Sequence, residues 1–186
     1  MRSGPAAVLA LTAAALLAGC SGDPEPVPTA LPPLPSASPS PSASPSARSL
    51  PMPTVARAPT SEGAGAFARY YFDVLNAGFA TADPSGLQGL SEPGCQGCMN
   101  FVSSIRQLSS KSHKLRGELL TVREAVAPDV RFKPVTVDVT ADVPARAEVD
   151  ASGGVVRQLA AKPSVNYVLT LRRKTRGWSV SELRKG

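Results

Sequence analysis

Histidine is nearly absent from this chain, and that scarcity excludes more chemistry than any residue present suggests. The one copy, His113, sits in the polar run Ser112-His113-Lys114 and reads as exposed and solvated. A catalytic triad needs its imidazole held beside a nucleophile, so a histidine-based triad is excluded on this reading. Zinc normally takes four ligands. His113 with the pair in Cys95-Gln96-Gly97-Cys98 falls short of that number, and neither a metal nor any other cofactor is expected. Long apolar runs are missing too. The longest, Ala6 to Leu17, is shorter than the roughly 20 residues that a transmembrane helix requires, so no permanent span is expected.

What is there begins with an address. Residues 1–19 place Arg2 before an apolar run and small residues before Cys20, the layout of a secretory signal. Leu17-Ala18-Gly19-Cys20 resembles the lipobox of bacterial lipoproteins. The resemblance implies cleavage before Cys20 and a diacylglyceryl group on its thiol. Two acyl chains suffice for stable anchoring. The mature protein is therefore expected to be exported and lipid-anchored to the outer face of the cell membrane, facing the cell wall. That compartment lets disulfides persist.

From Ser21 to about Thr60 the composition is dominated by Pro, Ser and Ala, with few residues, among them Leu31, Leu34, Leu50, Met52 and Val55, able to seek a core. Burial cannot offset the entropy of ordering such a segment. Residues 20–60 are thus expected to be a lipidated cysteine followed by a disordered tether. At ~3.1 Å per residue in polyproline II, about 40 residues would reach on the order of 100 Å. The whole chain carries 20 Lys and Arg against 14 Asp and Glu, a net charge of +6. That balance suits anionic lipids or anionic wall polymers, with an envelope protein as the other candidate partner. An exported chain rarely meets nucleic acid, and none is expected as a partner.

Residues 61–186 are long enough for one domain with a real core. Thr60 or Ser61 can cap a helix whose Ala64, Phe67, Tyr71, Val74, Leu75 and Gly78 share one stripe, ending near Phe79. Asp83-Pro84 reads as an N-cap followed by proline at the first helical position, starting a short piece through Leu90. A third helix after Pro93-Gly94 places Cys98, Phe101, Val102, Ile105 and Leu108 on one face. The period then changes to two. Leu120, Val122 and Val126 form a weak strand. Val135, Val137, Val139, Ala141 and Val143 form a strong one, continuing to Val149 and a turn at Ser152-Gly153-Gly154. Val165, Tyr167, Leu169 and Leu171 alternate again before a turn into Trp178 and Val180. Helices followed by antiparallel strands mean an α+β domain.

Phe67, Tyr70-Tyr71, Leu75-Asn76, Thr81, Asp83, Leu87, Leu90-Ser91, Pro93 and Cys95-Gln96-Gly97-Cys98 resemble the front half of a family of actinobacterial cell-envelope lipoproteins of unknown function. The layout as a whole is similar to NTF2-like (SnoaL-like, cystatin-like superfamily) cones. That likeness implies three N-terminal helices packed on a curved antiparallel sheet of four to five strands. It carries no activity to transfer.

Three constellations could carry chemistry. Cys95 and Cys98 can close a small disulfide ring, the leading reading. An exchange-active pair at a helix N-terminus is the alternative, because that position lowers a thiol pKa. Phe67, Tyr70, Tyr71 and Trp178 are candidates to line a pocket in the cone, with isomerase-like or dehydratase-like chemistry as a further alternative. Asp73 and Asn76 share that helix. Arg172, Arg173, Lys174 and Arg176 crowd a hairpin tip, with Arg184 and Lys185 placed near it if the last strands pair. Such a cluster either engages anionic surfaces or is simply solvated. With no catalytic set assembled, the expected function is a non-enzymatic, membrane-anchored binding or accessory module of the cell envelope.

Overall fold

A computed structural model describes residues 50–131, 133–175 and 177–186. Cys20, the signal segment and most of the tether lie outside the described residues, as does Arg176.

Three helices precede seven strands: α1 (Ser61–Thr81), α2 (Ser85–Leu90), α3 (Gln96–Ser110), β1 (Lys114–Arg116), β2 (Thr121–Val126), β3 (Val135–Val143), β4 (Arg146–Val149), β5 (Val155–Leu159), β6 (Lys162–Lys174) and β7 (Gly177–Lys185). The class is α+β. The Thr60 hydroxyl accepts from the Gly63 N–H at 3.0 Å and caps α1. Helix α2 starts later than Asp83-Pro84 implies. Pro84 is its cap residue and the Asp83 carboxylate accepts from the Ser85 N–H, so the aspartate acts from outside the helix.

The strands form two antiparallel sheets, β2-β3-β6-β7 and β1-β4-β5, rather than one of four or five strands. Pro144-Ala145 divides the long strand expected from Val135 to Val149, and Ala160-Ala161 divides its partner opposite. Proline cannot donate to a ladder and marks such breaks. The pairing nonetheless runs on across both gaps, from Val143 opposite Lys162 to Arg146 opposite Leu159, so one long hairpin serves both sheets. A bulge at Arg123 shifts the β2 register. An extra residue reverses the alternation beyond it, and Val126 consequently points to solvent at 44% exposure.

The inward face of β3 alternates as its sequence does, with Val135, Val137, Val139, Ala141 and Val143 all buried. They meet Phe67, Tyr71, Phe72 and Leu75 of α1, Val102 and Ile105 of α3, and Leu169, Leu171 and Val180. Helix α1 is buried well beyond a single stripe. Strand β2 closes on it at Gly65, and at Gly63 so does a strap, residues 50–60, which the composition assigns to the tether but which packs on the domain. Its Ala56 is fully buried within a 3-10 turn. The Tyr70 hydroxyl donates to the Leu50 carbonyl at 2.9 Å. At Gly63 a Cβ would stand 2.3 Å from the Ala58 carbonyl oxygen, so only glycine lets strap and helix approach this closely.

Candidate functional site

The basic hairpin tip becomes a groove of about 630 Å³ once folded, walled by β6, β7, the strap and the loop before β3. Arg172, Arg173 and Lys174 end β6, Trp178 begins β7, Lys133 and Pro134 come from the loop and Pro59 from the strap. Lys174 pairs with Gly177 in the ladder, which makes the turn tight.

These cations are not simply solvated. The Arg173 guanidinium lies 5.1 Å from the centre of the Trp178 ring, within cation–π range, and donates to the Arg57 carbonyl at 2.7 Å. The Trp178 indole donates to the Ala58 carbonyl at 3.0 Å. Lys174 and Arg172 share one acid, Glu92, at 2.8 and 3.6 Å. The Lys174 hydrogen bond is the main reason that the Glu92 carboxyl is held below its ordinary range, with Ser179 adding to it. Four cations, Lys133, Arg172, Arg173 and Lys174, line the groove while Glu92 pairs with only two of them, so the groove keeps a positive excess suited to an anion. Arg184 and Lys185 do not join it. Lys185 pairs with Tyr167, seven residues back from Lys174 along β6, or roughly 24 Å at strand rise.

The four aromatic candidates do not line a common cavity. Phe67 and Tyr71 are fully buried in the filled interior. Tyr70 is tied to the strap, and Trp178 belongs to the basic groove. Burial pushes the Tyr71 phenol up to about 12. The nearby Ser91 hydroxyl favours its ionised form slightly, yet among the described residues neither hydroxyl finds a hydrogen bond of good geometry. Asn76 clamps the chain before β2: its amide donates to the Leu120 carbonyl and accepts from the Leu119 and Leu120 N–H groups.

Cys95 and Cys98 are joined by a disulfide, and both are fully buried. The Cys95 sulfur also accepts from the Cys98 N–H at 3.3 Å and caps α3. An exchange partner must reach a sulfur to attack it, and burial opposes that.

His113 is not exposed as its neighbours suggest. Its Nδ1 lies 2.8 Å from Glu148 Oε1, and Arg157 reaches the other carboxylate oxygen at 2.7 Å. The His113 hydrogen bond holds Glu148 below the ordinary range, against burial, with Arg157 helping. Sequence reasoning passes over Glu148, Arg146 and Arg157. The signal for the first two is the alternation Arg146-Ala147-Glu148-Val149, which sets charge on one face of β4, and Arg157 joins them through its pairing with Glu148. Among the described residues no group of three or more His, Cys, Asp or Glu is arranged to hold a metal, and no helix is long and apolar enough to cross a membrane.

The fold has a counterpart among solved structures. The intermembrane space region of chloroplast protein ARC6 superposes with a TM-score of 0.51 at 8% identity, covering 67% of this chain and 95% of that one. At that identity the likeness concerns the fold alone. A five-substitution variant of Rd1NTF2_05 (TM-score 0.36, 10% identity, 64% and 96% covered) and Aln2 from a Streptomyces species (0.38, 13%, 64% and 88%) also align. No protein-family model matches the chain, and no curated protein matches it.

Proposed function

We propose that this chain is an exported, lipid-anchored binding module of the cell envelope. In this reading it is built on an NTF2-like cone and is not an enzyme, and its basic groove at the β6–β7 turn engages phosphate-bearing envelope surfaces. The observation that carries the reading is the position of the strap. The strap enters the domain along the same groove: Arg57 and Ala58 accept from Arg173 and Trp178, Pro59 forms a wall, and Met52 lines an adjoining hollow with Arg173 and Gly177. A tether from Cys20 would thus join the domain beside its positive groove. Because the interior is filled by Phe67, Tyr71 and Phe72, contact falls to the outer surface rather than to an internal pocket.

The test uses the full chain with Cys20→Ala, so that retention does not come from a lipid. Sedimentation with phosphatidylglycerol-containing vesicles is expected, weakening as salt screens the attraction, with no retention on pure phosphatidylcholine. Lys133→Ala should weaken it about fivefold, from ~1 kcal/mol per cation near an anionic surface. Equal retention on neutral vesicles, or indifference to salt and to Lys133, would sink the reading.

A further inference from the structure

A second groove, of about 760 Å³, separates the C-terminal half of α3 from the three-stranded sheet. Strand pairing dictates what lines it. Leu115, Glu148 and Arg157 stand in one row across β1, β4 and β5, and Arg146 pairs with Leu159 two rows along, on the same face. This face of the small sheet therefore carries its charges toward the helix. Opposite them Phe101 and Leu108 of α3 are only half-buried, although they lie on the helix's apolar side, and Phe79 of α1 completes an apolar floor. The space between is open rather than packed.

The charges in it do not balance. Lys111, Arg146 and Arg157 line the groove together with His113, and the acid among them is Glu148. Glu148 is already engaged on both oxygens, by His113 and by Arg157. Among the described residues Arg146 is committed at one end: Nη1 donates to the Pro144 carbonyl at 3.1 Å, while the buried Nε finds no acceptor. Buried donors in native proteins are nearly always paired. An unspent guanidinium donor beside a second arginine, over an apolar floor, is what a carboxylate or phosphate attached to a hydrocarbon would complete, since arginine forks match such oxyanions. The volume also falls within the range of small-molecule sites, roughly 300–1,000 Å³.

We propose that this groove binds a single-chain amphiphile with an anionic head, its tail over Phe79, Phe101, Leu115 and Leu159 and its head against Arg146 and Arg157. The site is separate from the basic groove at the β6–β7 turn, so either assignment can fail without the other. A compact anion would leave the apolar floor uncovered. A cationic amphiphile would meet three like charges.

Titration calorimetry of the full Cys20→Ala chain tests this with decanoate, decyl phosphate, decanol, decyltrimethylammonium, acetate and inorganic phosphate. Decanoate or decyl phosphate should bind one per chain, the tighter of the two identifying the head. Decanol and the cationic amphiphile should bind at least tenfold more weakly, and acetate and phosphate alone should give no heat. Arg146→Gln should lose tenfold or more while its melting temperature stays close to that of the parent. Leu159→Asn, altering a partly exposed tail contact, should weaken binding independently. Because His113 is the only histidine, its imidazole NMR signals should shift on addition of the bound decyl compound. Equal binding of decanol, binding that ignores Arg146→Gln, or binding that leaves the His113 signals unmoved would overturn the assignment.

Discussion

The indole N–H of Trp178 donates to the Ala58 carbonyl at 3.0 Å, joining residues 120 apart in the chain. The bond fixes the strap to the start of β7, and the Arg173 guanidinium stacked on the same ring donates to the neighbouring Arg57 carbonyl. Trp178→Phe keeps most of the packing but leaves the Ala58 carbonyl without this donor. A loss of about 1–2 kcal/mol is expected in urea unfolding, with limited proteolysis moving to residues 50–60. Cleavage unchanged in that segment would mean that the strap is held by other contacts.

Gly97, in the first turn of α3, sits against β7 so closely that a Cβ would lie 2.0 Å from the Leu183 carbonyl oxygen. Backbone cannot rotate away as a side chain can. Gly97→Ala should cost about 3 kcal/mol through overpacking, read as a lower urea midpoint. Gly94→Ala, where nothing stands within 4 Å, serves as the neutral control.

Tyr71 buries a hydroxyl that, with Ser91 nearby, finds no hydrogen bond of good geometry among the described residues. Removing such a group is neutral or favourable, so Tyr71→Phe should hold or raise stability at neutral pH by up to about 1 kcal/mol. The alkaline limb gives a second readout. The folded phenol ionises near 12 against an ordinary 10.0, so the unfolded chain releases this proton first. The corresponding stability is intact below 10.0 and disappears as pH climbs toward 12. Tyr71→Phe should flatten that decline, and an alkaline limb identical to the parent's would count against the burial described.

Glu148 behaves in the opposite sense. Its folded carboxyl is held below the ordinary value of 4.5, chiefly by His113 and further by Arg157. The stability it contributes is present above 4.5 and is lost as pH falls through the lower folded value. Glu148→Gln should cost about 1–2 kcal/mol at pH 7, the figure being moderated because Arg157 is largely exposed. The variant should also unfold less steeply in acid. Parallel acid limbs would show that Glu148 is not the group responsible.

Much of this fold is legible in the sequence where one periodicity acts alone. The inward alternation of Val135 to Val143 and the apolar stripe of α1 both translate directly into burial. The break at Pro144-Ala145 is less visible, because the residues after it keep the same alternation while joining another sheet. The strap is invisible to periodicity. It is held by the side chains of Tyr70, Arg173 and Trp178 donating to its backbone carbonyls, and a carbonyl carries no mark in a Pro/Ala-rich sequence. The basic groove is half legible: Arg172 to Lys174 announce the charge, but not Glu92 as its counterweight or Arg173 lying on Trp178. The His113–Glu148 pair spans 35 residues, and only strand register brings it together.

The strap has a mechanical consequence. Tension applied to the chain ahead of Leu50 meets its fastenings one after another: first the Tyr70 bond to Leu50, then the Arg173 bond to Arg57 and the Trp178 bond to Ala58. Fastenings loaded in sequence peel singly, whereas those loaded side by side resist together. Released, residues 50–60 would span at most roughly 36 Å at ~3.3 Å per residue before the pull reached α1. The basic groove would lose its Pro59 wall during that first extension, so stretch would alter the binding surface while the core of the domain stayed folded.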